Sequence, residues 1–165
     1  MKAAAAQRDV SPMQPDIDFA LAEYAIGQLP SERAPEVAAA LLASGEADPD
    51  AATLALMRAP TWSDARALFE SAVAATGRTI PHPRFAYLRV IQGVLDAMVA
   101  GTVTPRSGAG RLGEIWSATD HRHNLSVFVA LADDWDEYPE QRGEIETSIV
   151  AEAQGRVGEF RAGTG

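Results

Sequence analysis

The segment SGAGRLGEIW contains Gly108, Gly110 and Gly113, which have the G-x-G-x-x-G spacing of a dinucleotide-binding loop. In such a loop an apolar strand runs directly into the first glycine, because the turn aims backbone N–H groups at a pyrophosphate. The residues before Gly108 are TVTPRS, where Pro105 is incompatible with a central strand. We therefore predict a helix, with Thr104 as its N-cap and Pro105 at its first position.

Glycines inside a helix need a separate explanation, since each costs about 1 kcal/mol relative to alanine. Three of them between Pro105 and Ala118 indicate close approach by another helix or by a partner. One form of this hypothesis is a structural subunit whose glycine-bearing helix packs against its copy. A homodimer is therefore one alternative for this chain.

A second set of residues could bind a metal ion. Asp120, His121 and His123 supply nitrogen and oxygen ligands of the types that zinc prefers, which makes a metal-dependent hydrolase an alternative function. The two histidines stand two residues apart and converge only in an extended segment. The next carboxylates follow about ten helical residues later, at a distance of about 15 Å. We interpret HRHN as an exposed turn with Asn124 as a helix cap, and we predict neither a metal nor another cofactor.

A third set combines carboxylates with two aromatic side chains. Aromatic residues surrounded by charge are typical of binding hot spots, and these charges suit a basic partner. The alternative is a tryptophan that closes the core at a helix end, beside acids that solvate a turn. The predicted partner-binding residues are Asp133, Asp134, Trp135, Asp136, Glu137 and Tyr138.

Composition narrows the classes of function. The chain has 14 Lys and Arg against 23 Asp and Glu, a formal net charge of −9, which disfavours nucleic acid and anionic membranes as partners. It has no cysteine, which excludes disulfides, thiolate metal sites and thiol catalysis. The longest apolar runs are far shorter than a membrane span, and the N-terminal MKAAAAQRD lacks the apolar core of a signal peptide. We expect a cytoplasmic protein.

Helical periodicity and helix caps recur along most of the sequence. Asp48-Pro49 and Thr104-Pro105 each place a capping side chain before a proline at the first helical position, and TWSD resembles a capping box. We expect the last helix to begin at Pro139, and no segment predicts a strand. The fold prediction is an all-α, compact bundle of about eight short-to-medium helices. The predicted organisation is a flexible N-terminal arm at 1–14 and a single domain at 15–165, with sub-lobes 15–77 and 83–162 joined by a linker at 78–82.

Four stretches form a pattern that extends over residues 99–153. They are VAGTVTP, GAGRLGEIW, FVALADDW and YPEQRGEIETSIVAEA. This pattern resembles a group of small bacterial all-helical proteins to which no activity is assigned. The resemblance implies helices at the second and third stretches, and it implies no activity or cofactor.

The functional prediction follows from the acidic aromatic cluster and from the absence of a recognisable catalytic motif. We predict a non-enzymatic protein-binding module, of the immunity or adaptor kind, whose acidic surface binds another protein of basic charge. The metal-dependent hydrolase at Asp120, His121 and His123 and the structural homo-oligomer are the alternatives.

Overall fold

A computed structural model describes residues 16–45 and 48–160 of the chain. The described residues form helices and no strand, which confirms the predicted all-α class and the predicted number of helices. The predicted N-terminal arm at 1–14 lies outside the described residues. The α-helices are α1 (Ile17–Ala25), α2 (Ala34–Ala43), α3 (Pro49–Ala55), α4 (Trp62–Ala75), α5 (Pro83–Val99), α6 (Pro105–Ala118), α7 (Ser126–Glu137) and α8 (Arg142–Arg156), and single 3-10 turns occupy Ser31–Arg33 and Pro139–Gln141.

Contacts between Cα atoms divide the chain into two units. The described parts of unit 1 are residues 16–20, 29–45 and 48–79, and those of unit 2 are residues 21–28 and 80–160. One boundary therefore lies inside the segment 78–82, which the sequence marks as a linker. The other two lie inside α1, between residues 20 and 21, and after it, between residues 28 and 29, so that the short early segment 21–28 is grouped with the later helices.

Unit 1 is built on mutual packing of α2, α3 and α4. The side chains of Leu41, Leu54 and Phe69 are fully buried there, and each such burial contributes about 1.5–3 kcal/mol. The Trp62 ring meets the ring of Phe69 edge to face at 5.5 Å between centroids, and its Nε1 donates to the carbonyl of Leu29 at 3.0 Å. The first turn of α4 is thereby fixed on the core of its unit.

Unit 2 packs α6 against α5, α7 and α8, and α8 also contacts α5 and α7. Its core contains large, fully buried side chains from each helix. The segment 21–28 is joined to α6 by an ion pair, in which Nη2 of Arg111 lies 2.6 Å from Oε1 of the buried Glu23. The principal core residues of unit 2 are Ile91, Leu95, Met98, Leu112, Ile115, Leu125, Phe128 and Ile149.

Helix caps explain several of the boundaries. The carboxylate of Asp48 accepts from the backbone N–H of Ala51 at 2.8 Å, and Oγ1 of Thr104 accepts from that of Ser107 at 3.3 Å. Both bonds satisfy N–H groups that the first turn of a helix leaves unpaired. The prediction of Asn124 as a cap was wrong: α7 begins one residue later than that cap requires, after Leu125, with no side-chain cap.

The last helix also begins later than the sequence indicates. Pro139 was predicted to start it, but Pro139–Gln141 forms a 3-10 turn and α8 begins at Arg142. A proline accepts a 3-10 turn as readily as an α-helical one because both need the same restricted φ.

Candidate protein-binding surface

The acidic segment forms the C-terminal end of α7. Asp133, Asp134, Asp136 and Glu137 are all exposed, and the last turn of this helix carries no basic residue. The C-terminal end of a helix bears a partial negative charge, so an acid near that end that no cation neutralises is destabilising by about 0.3–1 kcal/mol. This segment therefore has a local electrostatic cost that folding alone does not explain.

Asp136 is held by a neighbouring helix. Arg106 in α6 donates from Nη2 to Oδ2 of Asp136 at 2.6 Å and from Nε to Oδ1 at 3.4 Å. The hydrogen bond from Arg106 is the main reason that the pKa of Asp136 is lowered, burial opposes it, and the charges of Arg106 and Arg142 lower the pKa further. This carboxylate is thus already paired with an arginine of unit 2.

Trp135 is half-buried and fixed by groups from α6 and α8. The Arg142 guanidinium lies 3.9 Å from the centre of its ring, and that of Arg106 lies 5.8 Å away. The indole Nε1 donates to Oε1 of Glu146 at 3.1 Å, and Nε of Arg142 donates to the Trp135 carbonyl at 3.2 Å. The ring is therefore stacked with arginines of its own chain.

Tyr138 ends the helix and presents an aromatic side chain that is 39% exposed. Its backbone N–H donates to the carbonyl of Asp134 at 2.8 Å. The charge of Glu137 and a hydrogen bond to it raise the pKa of the phenol, with smaller contributions from burial and from Asp134, so the hydroxyl is neutral near pH 7. We use the name acidic face for the set Asp133, Asp134, Glu137 and Tyr138.

The structure separates the three proposed metal-binding residues. His121 stacks on Trp116, with 3.9 Å between ring centroids and 41° between planes. Asp120 and His123 line a cleft that His121 does not line. Among residues 16–45 and 48–160, no group of three or more histidine, aspartate or glutamate side chains is arranged to hold a metal ion.

The glycine-rich segment is helical, as predicted. A Cβ atom at Gly108 would clash with Cγ and Sδ of the buried Met98 in α5, and one at Gly113 would lie 3.2 Å from Cγ2 of Val129 in α7. Two of the three glycines therefore allow α6 to approach its neighbours within the same unit. At Gly110 the nearest atom to an added Cβ would be the flexible end of Arg106, at 2.9 Å.

The sequence did not reveal the groups that hold the acidic segment. Arg106 precedes Asp136 by 30 residues, and Arg142 and Glu146 belong to the next helix. One local signal was present in the sequence. Arg142 follows Trp135 by about two helical turns and Glu146 follows it by about three, but the turn at Pro139 interrupts this spacing.

Two further findings concern membrane-spanning helices and similarity to known proteins. No helix in the described part of the chain is both long enough and apolar enough to cross a membrane. No family model, curated protein or solved structure significantly matches this chain.

Proposed function

We propose that this chain is a non-enzymatic protein-binding module, of the immunity or adaptor kind, whose acidic face binds a basic protein. The observation that carries the proposal is the position of Asp133, Asp134 and Glu137 at the C-terminal end of α7. We also propose that the protein acts in the cytoplasm.

A cationic partner would remove the electrostatic cost of this arrangement. Lysine or arginine side chains placed against the acidic face would pair with its carboxylates and would also meet the negative end of the helix. The same charges would speed the encounter with a basic surface. In the free chain the carboxylates of the acidic face are repelled by the negative end of α7, and in the complex the cationic groups of the partner reduce this repulsion.

The support beneath the acidic face favours binding in a second way. Trp135 and Asp136 are held by Arg106 and Arg142, so the end of α7 is fixed before a partner arrives. Preorganisation reduces the conformational entropy lost on binding. In this account Trp135 and Asp136 position the surface, and Tyr138 supplies the aromatic contact at its edge.

The two alternatives gain less support from the geometry. The ring of His121 packs on Trp116, and His121 does not line the cleft that Asp120 and His123 line. Gly108 and Gly113 contact helices of their own unit, so their close packing needs no second copy of the chain. Neither the metal-dependent hydrolase nor the homo-oligomer therefore has a specific contact in its favour.

The test is affinity capture from a lysate of the native host with three forms of the chain. The first is the native sequence, and the second carries Asp133→Asn, Asp134→Asn and Glu137→Gln. The third is a matched control with the exposed residues Glu32, Glu114 and Glu159 each changed to Gln, which makes the same change to the net charge of −9. Retained proteins are quantified by mass spectrometry at physiological salt, where surface charge pairs still contribute to binding.

We expect a basic protein to be retained by the native chain and by the control, and to be lost from the acidic-face variant. A fourth form, Tyr138→Ala, should retain less of the same protein than the native chain does. Equal retention by all three forms contradicts the proposal, and so does a native chain that retains no basic protein.

A further inference from the structure

An open cleft of about 650 Å³ lies in unit 2, between the start of α5 and the turn that joins α6 to α7. Pockets for small molecules usually measure about 300–1,000 Å³. Several polar side chains from two separate segments converge on it, and none of them belongs to the acidic face. These side chains are His82, Arg84, Tyr87, Asp120, Arg122 and His123.

The charge of the cleft is opposite to that of the whole chain. Its lining includes two arginines, Arg84 and Arg122, and one carboxylate, that of Asp120, in a protein whose formal net charge is −9. The cleft also includes the N-terminal end of α5, a helix of 17 residues with no acidic residue in its first turn. Its helix dipole therefore adds to the positive potential.

The two histidines contribute ring nitrogens to the cleft. Nδ1 of His82 accepts from the backbone N–H of Arg84 at 3.2 Å, so Nε2 is the nitrogen of that ring that this bond does not use. His123 is half-buried in the same lining, and burial, followed by the charge of Arg122, lowers its pKa from the ordinary value. Both rings can therefore contact polar groups of a ligand in the cleft.

The remaining lining is mainly apolar, apart from Thr119. Leu88, Ala118 and the ring of Tyr87 supply carbon surface. The turn forming the opposite wall has two successive residues in the left-handed region, Asp120 with φ 49° and His121 with φ 63°. Non-glycine residues in this region are uncommon, and they concentrate at binding and active sites.

We propose that this cleft binds a small organic acid. Arg84 and Arg122 hold its carboxylate or phosphate group, and its compact apolar body rests against Leu88 and Tyr87. The site shares no residue with the acidic face, so this inference and the proposed function can fail separately.

The test is a titration of the full chain, followed by two-dimensional NMR, with benzoate and with phenyl phosphate. Benzyl alcohol provides the matched neutral probe. The binding variant is Arg84→Gln/Arg122→Gln, with the single Arg122→Gln as a second, milder variant. The control is Arg58→Gln, an exposed arginine of unit 1 outside the cleft.

We expect at least one of the two acids to give saturable shifts at residues 82–88 and 118–123. Its dissociation constant should rise at least about tenfold in the double variant, because two charge-assisted contacts are lost, and should be unchanged in the control. Preference for benzoate or for phenyl phosphate identifies the anionic group. The absence of saturable shifts with both acids overturns the proposal, as does equal binding of benzyl alcohol or equal affinity of the native chain and the arginine variants.

Discussion

Replacement of Gly108 by alanine tests why the glycine-rich segment contains glycine. The new Cβ would clash with Cγ and Sδ of Met98, whose side chain is buried and has little room to move. Overpacking of this kind costs about 1–3 kcal/mol. Alanine also improves helix propensity by about 1 kcal/mol, so the expected net loss of unfolding free energy is up to about 2 kcal/mol.

Gly110→Ala is the matched control in the same helix. The nearest atom to its new Cβ is Nη1 of Arg106, which makes neither hydrogen bond to Asp136, so a small shift of this side-chain end relieves the contact. The gain in helix propensity should then dominate, and the variant should be more stable than the native chain by about 0.5–1 kcal/mol. Since the propensity effect is common to both substitutions, their difference reports the contact with Met98.

The assay is urea unfolding, followed in parallel by tryptophan fluorescence and circular dichroism. A double-mutant cycle with Met98→Ala should reduce the cost of Gly108→Ala, because the clashing atoms are then absent. If Gly108→Ala stabilises the chain as much as Gly110→Ala does, the close approach of α5 and α6 is not the reason for the glycine.

Two further predictions concern Trp135 and His123. Trp135→Ala removes a half-buried ring that is stacked on Arg142. We expect this variant to lower the free energy of unfolding, measured in urea, by about 2–4 kcal/mol. A decrease below about 0.5 kcal/mol would contradict the positioning role of Trp135. For His123 the folded-state pKa is below the unfolded value of 6.5, so the unfolded chain binds more protons at mildly acidic pH. The unfolding free energy should therefore fall as the pH decreases below 6.5, and this decrease should be smaller in His123→Asn. An identical pH dependence in the two proteins would show that His123 is not responsible.

Local sequence patterns predicted most of the helices because their causes are local. The Thr104-Pro105 start of α6 depends on residues within one helical turn, and so does the Asp48 cap of α3. The start of α7 was misplaced because Asn124 has the composition of a cap while its side chain makes no cap bond in the fold. A capping residue type is a preference that the path of the chain can override.

The candidate site was predictable only in part. The acidic residues and the two aromatic residues were evident from the sequence. The sequence did not show which of these residues form the acidic face and which two, Trp135 and Asp136, support it. That distinction depends on Arg106, which contacts Asp136 although the two are 30 residues apart in the sequence. The cleft that includes His82 and Arg122 likewise joins segments about 40 residues apart in the sequence, and no local periodicity encodes such a pairing.

The most direct test of the account is native mass spectrometry of the untagged protein, purified from its own host at low ionic strength. Charge pairs between the acidic face and a basic surface are best preserved under that condition. We predict a complex that contains a second polypeptide of basic composition and dissociates when salt is raised. A chain that carries no other polypeptide, or one that carries a metal ion or a nucleotide in its place, would contradict the proposed function.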